Sequence, residues 1–280
     1  MTGAAARVLR GAVEGAPTAR STEGRLVYAI GDVHGRYDLL ADLLAAIVAD
    51  IAAAPSDADP LLIMCGDTID RGPASCDVLS ALVWLSRHAA LELRCLRGNH
   101  EEALLAFVDR PAALSDWLAI GGEETLRSYG LDAAVAPALL DRMPASHLAL
   151  LRAMPTWTSC GGYVFVHAGL RPGVAIAAQD DADRLSIGAP FRDADARFDK
   201  IVVHGHGGVS PEAEVRRHRI GIDTAAWQTG VLTALRLDGT STILLQTEAA
   251  GAPSSRRPTR EEGEGPVTMR DVLEKLRPDF

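Results

Sequence analysis

The sequence lacks three features that would each place it in a particular class of protein. It contains no run of about 20 apolar residues, so neither a membrane-spanning helix nor a membrane partner is expected. Its four cysteines form no CxxC pair, and Cys65 and Cys95 lie in apolar runs, where cysteine packs as a small core residue. We therefore expect no disulfide and a reducing, cytoplasmic location. Surplus positive charge is also absent: the formal net charge is -9, which argues against broad binding of nucleic acid.

The 280 residues, 48% of them hydrophobic, are enough for a substantial core between two polar tails. Residues 1–24 have no hydrophobic period and lack the apolar core of a signal peptide, so a disordered N-terminal tail is expected there. Residues 249–280 are expected to be a flexible C-terminal tail, in which 268–278 form a short amphipathic helix or a frayed end. Residues 25–248 are then the folded domain.

Apolar runs and helical patterns alternate through the first half of this domain, whereas the second half is rich in strands. The spacing predicts helices over Tyr37–Ile51, Ser75–His88 and Glu101–Val108, and a mostly helical segment over 112–153. This order favours an α/β fold, a two-sheet α/β sandwich with helices on the outer faces, over one doubly wound sheet. Short apolar runs predict strands over Leu26–Ile30, Leu61–Cys65, Leu91–Leu96, Tyr163–Val166, Ile201–Val203, Arg219–Ile222, Val231–Leu237 and Ser241–Gln246.

Five of the apolar runs end in a small polar cluster that offers carboxylate, amide or imidazole groups. A single Gly-Asp or Asn-His is usually only a turn or a helix cap. Five of them, each at the end of a strand, indicate one site, because sites in open α/β sheets form beyond the carboxyl ends of the strands. The clusters span residues 31–35 (GDVHG), 66–72 (GDTIDRG), 97–101 (RGNHE), 166–169 (VHAG) and 204–206 (HGH).

The side chains in these clusters are those of a metal site without sulfur ligands. Oxygen and imidazole donors suit Mn, Fe, Zn or Mg. Six such residues are too many for one four-coordinate ion, so the pattern predicts two divalent ions with Asp67, central in the series, as a shared ligand. Two ions about 3.5–4 Å apart clamp a phosphoryl group and acidify a water between them. The six candidate ligands are Asp32, His34, Asp67, Asn99, His167 and His206.

Together these motifs resemble the calcineurin-like metallophosphoesterase superfamily, and within it the bacterial phosphoprotein phosphatases that act on serine and threonine. The resemblance covers residues 25–247 and rests on GDVHG, GDTIDRG, LRGNHE (96–101), VHAG and VHGH (203–206). It implies that the folded domain is the catalytic domain and that the ions are manganese, with iron, zinc or magnesium as alternatives. His204 would pack beside the ligands. The implied ligands are Asp32, His34 and Asp67 for a first ion and Asp67, Asn99, His167 and His206 for a second.

The resemblance further implies roles for residues around the ions. His100 would be the general acid and Asp70 the carboxylate that orients it, which matters because a serine or threonine alkoxide is a poor leaving group. Arg71 and Arg97, with Asn99 beside them, would bind the substrate. Guanidinium donors match the oxygens of a phosphate and stabilise its negative charge.

One stretch departs from the family pattern. Bacterial relatives carry Trp-Ile-Arg a little after the His-Ala-Gly motif, and the resemblance implies that this arginine is another phosphate ligand. In the matching stretch, SIGAPF (186–191), Gly188 stands where the arginine would be. A substitute could come from Arg171, Arg184 or Arg192. Phosphate affinity or substrate choice depends on whether one of these arginines takes the place of the missing one.

The implied activity is hydrolysis of phosphomonoesters, foremost phosphoserine and phosphothreonine in proteins, by direct attack of a hydroxide between the ions. Small phosphoesters are alternative substrates, and the oligomeric state is left open. A symmetrical dinucleoside tetraphosphate hydrolase would share the metal motifs, but Asp70-Arg71-Gly72 and Glu101 lean towards the protein phosphatases. A non-catalytic phosphoprotein-binding scaffold is a further alternative, suggested by Gly188. A nuclease or phosphodiesterase is a weaker one, given the acidic balance.

Overall fold

Two sheets, each with three neighbouring parallel strands, form the framework of the described part of the chain. The computed structural model describes residues 8–13, 15–55 and 57–248. The strands within these ranges are β1 (Val8–Ala12), β2 (Arg25–Ile30), β3 (Asp59–Met64), β4 (Glu92–Cys95), β5 (Trp157–Cys160), β6 (Tyr163–Val166), β7 (Ile201–His204), β8 (Glu214–Val215), β9 (Arg219–Gly221), β10 (Thr233–Leu237) and β11 (Thr242–Thr247).

Strand order and direction bring several carboxyl ends to one edge. The larger sheet has the order β1-β11-β10-β2-β3-β4, in which β2, β3 and β4 are parallel. The smaller sheet has the order β5-β6-β7-β9-β8, in which β6, β7 and β9 are parallel. Loops that follow neighbouring parallel strands therefore leave each sheet side by side.

Helices cover the outer faces of the sheets. Further helices form the stretch of chain between β4 of the larger sheet and β5 of the smaller sheet. None of the described helices is long and apolar enough to cross a membrane. Short 3₁₀ helices occur at Pro111–Ala113, Ala133–Ala138 and Ile176–Ala178. The α-helices in the described ranges are α1 (Tyr37–Ala52), α2 (Ser75–His88), α3 (Asn99–Asp109), α4 (Leu114–Ala119), α5 (Gly122–Ser128), α6 (Leu139–Arg142), α7 (Ala145–Ala153), α8 (Asp181–Ser186), α9 (Ala189–Arg192) and α10 (Ala226–Thr229).

Strand β2 shows how the core is divided into layers. Its residues Val27 and Ala29 lie in one apolar cluster with Phe165 of the second sheet. Their neighbours Tyr28 and Ile30 lie in another cluster with the buried faces of α1 and α2. Successive residues of a strand point to opposite faces, so a strand covered on both sides has a continuous apolar sequence. The predicted two-sheet sandwich with outer helices is confirmed.

The predicted disorder of residues 1–24 is wrong for Val8–Ala12. These residues form β1, an edge strand that pairs antiparallel with β11. Most of its residues are exposed, so it carries no apolar alternation that would distinguish it from a tail. The prediction for residues 249–280, including the helix over 268–278, lies outside the described residues. The outer bounds of the domain stay a prediction.

Candidate metal centre

The loops after five strands carry the predicted ligands to one place. The loop after β2 is tied to the loop after β3, because the backbone N–H groups of Val33 and His34 donate to the Asp67 carbonyl over 3.0 and 2.9 Å. In the smaller sheet, the Gly205 N–H donates to the His167 carbonyl over 2.8 Å. The local backbone thus fixes neighbouring ligand loops to each other within each sheet.

The Asp67 carboxylate faces two groups of imidazoles. Ligand atoms of His34, Asp67 and His100 lie within 4.8 Å of one another, and so do those of Asp67, His167 and His206. Oδ2 of Asp67 is 3.6 Å from His34 Nε2, whereas Oδ1 is 3.4 Å from His167 Nε2. One carboxylate with an oxygen towards each group is the arrangement that a shared ligand of two ions requires. The donor set fits two divalent ions.

Asp32 and Asn99 complete the predicted ligand set from two sides. Asn99 Oδ1 lies 3.0 Å from His167 Nε2. The Asp32 carboxylate is buried and accepts the His206 N–H over 3.2 Å. Burial and the nearby charge of Asp223 raise the pKa of Asp32 well above its usual value. A buried carboxylate that a second carboxylate repels favours a cation nearby. The half-buried Asp223 was not identified from the sequence.

Backbone carbonyls orient two of the histidines. Nδ1 of His34 lies 2.9 Å from the Ile69 carbonyl, and Nδ1 of His167 lies 2.9 Å from the Cys65 carbonyl. A carbonyl only accepts, so Nδ1 carries the proton when the ring is neutral, and Nε2 is left with a lone pair towards the centre. This is the usual support of a metal-binding imidazole.

The protonation of these histidines responds to burial and to Asp67. Burial lowers the pKa of His34 to about 3 and that of His206 to about 4, which keeps both imidazoles neutral at pH 7. Burial alone would also lower the pKa of His167, but the Asp67 carboxylate outweighs it and raises the value to about 10. A proton at that position occupies the place that a metal ion would take, since metals compete with protons for the same lone pairs.

The backbone is strained where the candidate ligands cluster. Within the described ranges, five of the seven non-glycine residues with positive φ belong to the predicted site: His34, Asp67, Asp70, Arg71 and His206, with φ between 45° and 69°. Such conformations cost on the order of 1–3 kcal/mol each and persist where the surrounding structure enforces them. Their concentration here indicates that the ligand positions, rather than local backbone preference, determine these loops.

Two glycines leave room for the carboxylates. A Cβ built on Gly98 would overlap Oδ1 of Asp67, and one built on Gly205 would overlap Oδ1 of Asp32. Neither glycine is needed for its φ, so the requirement is close approach rather than conformational freedom. Side chains at these positions would push the carboxylates out of the centre.

Glu101 fastens the Asp67 loop to α3. Its fully buried carboxylate accepts the N–H groups of Asp67 (2.9 Å), Gly98 (2.8 Å) and Thr68 (2.7 Å), and also the Thr68 hydroxyl (2.8 Å). Helix α3 begins at Asn99, two residues before the predicted start, so Glu101 lies in its first turn. From its motif, Glu101 was expected only to distinguish between substrate classes, and its role in bracing the Asp67 loop was missed.

His100 and Asp70 form a buried pair beside the metal groups. Nδ1 of His100 lies 2.8 Å from Oδ2 of Asp70, and both side chains are fully buried. Trp117 Nε1 and Thr125 Oγ1 also donate to the Asp70 carboxylate, over 3.0 and 2.6 Å. Burial raises the pKa of Asp70, and the hydrogen bonds from His100, Thr125 and Trp117 oppose that rise. Nε2 of His100 is buried without a hydrogen-bond partner among the described residues, 3.7 Å from Oδ2 of Asp67.

Trp117 and Thr125 are functional residues that sequence reasoning missed. They lie in α4 and α5, within the segment over 112–153 that was predicted only as mostly helical. The one local signal in this segment is the stretch Gly-Gly-Glu-Glu-Thr (121–125), which ends in Thr125. Nothing in that signal indicates a hydrogen bond to Asp70.

The two predicted phosphate-binding arginines differ in their surroundings. Nη1 of Arg71 lies 3.1 Å from His34 Nε2, and its guanidinium lies over the Trp227 ring at 5.3 Å. Arg97 instead donates to Glu102 over 3.0 Å and to the Arg152 carbonyl over 3.1 Å. The structure therefore brings Arg71 to the metal centre and holds Arg97 in an ion pair beside it.

His204 lies outside both metal groups, as its position in the sequence led us to expect. Its buried ring packs edge-on against Phe191 with 5.1 Å between the ring centroids, and Nδ1 lies 2.8 Å from the Gly205 carbonyl. His206, two residues later, is the imidazole that meets Asp67 and His167.

Comparisons with known proteins identify the family of this chain. A "Bis(5'-nucleosyl)-tetraphosphatase, symmetrical" of Chromobacterium violaceum is 27% identical over 254 residues, which cover 86% of this chain and 79% of the relative. "Serine/threonine-protein phosphatase 2" of Escherichia coli is 38% identical over 102 residues, 35% of this chain and 39% of the relative. A solved structure of a candidate diadenosine tetraphosphatase superposes with a TM-score of 0.60 at 21% identity, covering 85% of this chain and 99% of the other, which shows a shared fold. The family profile of calcineurin-like phosphoesterases matches residues 26–230, and the chain belongs to that family.

Proposed function

We propose that this phosphoesterase hydrolyses phosphomonoesters, with phosphoserine and phosphothreonine in proteins as its main substrates. The observation that carries this proposal is the His100–Asp70 pair. An alkoxide leaves slowly unless a proton reaches it, and a positioned imidazole supplies that proton. The Nε2 atom of His100 is buried beside the metal groups and free of other partners in the described chain, as such a donor requires.

The remaining residues of the site have separable roles in this proposal. Two divalent ions, proposed to be manganese, would activate water and neutralise charge on the phosphoryl group when bound. Asp67 would lie between the ions, and Arg71 would bind a phosphoryl oxygen from the exposed side. His100 would carry a proton on Nε2 and pass it to the leaving oxygen, while Asp70 keeps the ring in place. Arg97 would have to exchange Glu102 for the substrate before it could contribute.

A symmetrical dinucleoside tetraphosphatase is the second candidate. The Chromobacterium violaceum relative that bears this name aligns with most of the chain. The Trp227 side chain is 37% exposed and lies beside Arg71, so an aromatic face is available near the centre for a nucleobase. A nucleoside diphosphate leaves far more readily than an alkoxide, so this reaction depends less on His100.

Rates measured side by side decide between the two candidates. The manganese-loaded protein is offered a phosphoserine peptide and diadenosine tetraphosphate at matched concentrations. The proposal predicts a clearly higher kcat/KM on the peptide. Faster turnover of the dinucleotide, with nucleoside diphosphate as the product, would favour the second candidate. Bound ions without turnover of either compound or of an aryl phosphate would favour the non-catalytic scaffold.

A further inference from the structure

The Arg192 guanidinium occupies the space above Gly188. Nη2 of Arg192 lies 3.7 Å from the position that a Cβ on Gly188 would take, and no other described residue beyond the two chain neighbours of Gly188 comes within 4 Å of that position. Nη1 lies 3.1 Å from the corresponding position on Gly207, the residue after His206. The Arg192 guanidinium thus lies between Gly188, which precedes α9, and the loop that carries the candidate ligand His206.

This guanidinium opens onto a cavity that the candidate ligand His206 also lines. Arg192 and His206 both line a cavity of about 250 Å³ formed largely by the loop over 205–210. The Arg192 side chain is exposed, and within the described ranges no hydrogen bond or ion pair holds its guanidinium. An uncommitted cation beside a candidate metal ligand is available to an anionic substrate.

The other two arginines considered from the sequence are committed elsewhere. Arg171 forms a two-pronged ion pair with Asp183, over 2.5 Å at both nitrogens. Arg184 is buried, donates to Asp181 over 2.6 Å and to the Ile176 carbonyl over 3.0 Å, and lies over the Trp157 ring. Neither can reach a substrate without breaking these contacts.

Hydrogen bonds from Arg219 hold the backbone around Arg192 in place. The Arg219 guanidinium donates to the carbonyls of Phe191 (3.3 Å), Ala194 (3.0 Å) and Arg192 itself. The Phe191 ring is buried between Gly169 and His204. The α-carbon of Arg192 is therefore fixed, and only its side chain remains free to meet a ligand. Such preorganisation lowers the entropic cost of binding.

Acidic groups in the same cavity are largely satisfied by other partners. Glu214 pairs with Arg216 over 2.9 Å and with Arg219 over 3.2 Å, and Asp223 accepts the Gly208 N–H over 2.6 Å. Glu212 also lines the cavity and is the one acidic group there for which no such side-chain partner is found in the described residues. No ion pair joins Glu212 to Arg192 in the described residues, so the guanidinium is not neutralised by a direct partner.

We propose that Arg192 binds an oxygen of the substrate's phosphoryl group and so replaces the arginine that is missing at position 188. The inference rests on the proposed phosphoester hydrolysis and concerns the same site. With Arg71, it would supply a second guanidinium to the donors around the phosphoryl group. The anion recognised is a terminal phosphate, because a guanidinium fork matches two of its oxygens.

Phosphate binding tests this inference independently of turnover. The Kd of inorganic phosphate is measured by calorimetry on the manganese-loaded protein, together with the KM for p-nitrophenyl phosphate, the manganese content and the Tm. Arg192→Ala should raise both Kd and KM by about 10- to 100-fold, the size expected when a charge-assisted hydrogen bond is lost. Arg192→Lys, which keeps the charge without the fork, should fall between. Metal content should be unchanged.

Arg216→Ala is the matched control, because Arg216 lines the same cavity but is paired with Glu214. It should leave the phosphate Kd within about twofold of the wild type. A wild-type Kd in Arg192→Ala, with wild-type turnover intact, would overturn the inference. Loss of phosphate affinity in Arg192→Ala, in a protein that hydrolyses no phosphoester, would support the inference while refuting the proposed hydrolysis.

Discussion

Nδ1 of His100 lies 2.8 Å from Oδ2 of Asp70, and both side chains are fully buried. Trp117 and Thr125 also donate to Asp70, so the carboxylate that orients the imidazole is itself held in place. The ring therefore has one orientation, with Nε2 directed towards the Asp67 side of the centre. A proton donor held in this way needs no rearrangement when the leaving oxygen develops charge.

Asp70→Asn should damage catalysis without removing the metals. The amide cannot stabilise a protonated His100 as a carboxylate does, so kcat on an alkyl phosphate should fall by roughly 10²- to 10⁴-fold. Manganese content, measured by mass spectrometry, should stay at the wild-type level. Thr125→Val, which removes one donor to Asp70, should cause a smaller loss. An Asp70→Asn protein with wild-type kcat would show that the pair is only structural.

Asp67→Asn should reduce binding of both ions, because each Asp67 oxygen faces a different imidazole group. His204→Gln is the matched control, since His204 is buried nearby but lies outside both groups. We expect two ions per chain in the wild type and in His204→Gln, and fewer than one in Asp67→Asn, by metal analysis after gel filtration. A folded His204→Gln protein that lost an ion would instead place His204 among the ligands.

Deletion of residues 1–13 should lower the Tm by several degrees. The deletion removes β1 and turns β11 into an edge strand, whose backbone groups on that side lose their partners. Leu9→Ala, at a position that is 46% exposed, should change the Tm little. Calorimetry measures both. An unchanged Tm after the deletion would mean that the segment contributes no more than a disordered tail.

The stability of the β10–β11 hairpin should depend on the charge of Asp238. Burial alone would raise the pKa of Asp238, but hydrogen bonds from Arg236, Thr240 and Ser241 hold it well below its usual value. A pKa lower in the folded than in the unfolded state stabilises the fold above the unfolded value, about 4, and this is lost as the pH falls towards the folded value. The Tm deficit of Asp238→Asn should therefore be largest near pH 7 and shrink below pH 4.

The exposed Asp195 provides the control for this pH profile. Asp195→Asn should show no comparable deficit at any pH. A deficit of Asp238→Asn that grew as the pH fell would contradict the assigned direction of the pKa.

Most of the candidate ligands could be predicted because they lie in short sequence motifs. Asp32, Asp67 and His167 each lie in the loop that begins where a strand ends, and parallel strands end at the same edge of a sheet. The continuous apolar sequence of β2 likewise follows from burial on both faces. In both cases residues close in sequence and the periodicity of the element determine the outcome.

What the sequence could not predict depends on contacts between distant segments. Trp117 and Thr125 meet Asp70 across 47 and 55 residues of sequence, and no local pattern marks them. β1 is ordered by β11, more than 200 residues later, while its own sequence resembles a polar tail. The position of Arg192 over Gly188 follows from the turn of α9 and its attachment to Arg219, neither of which is visible in the residues alone.

The dependence of the rate on the leaving group is the sharpest test of His100 as the proton donor. Wild type and His100→Asn are compared on a series of phosphate monoesters that runs from p-nitrophenyl phosphate to phosphoserine peptide. The account predicts that His100→Asn loses roughly 10²- to 10⁴-fold in kcat on the alkyl esters and far less on the aryl ester, whose oxygen leaves without a proton. An equal loss on both kinds of ester would contradict the assignment of His100 as the proton donor.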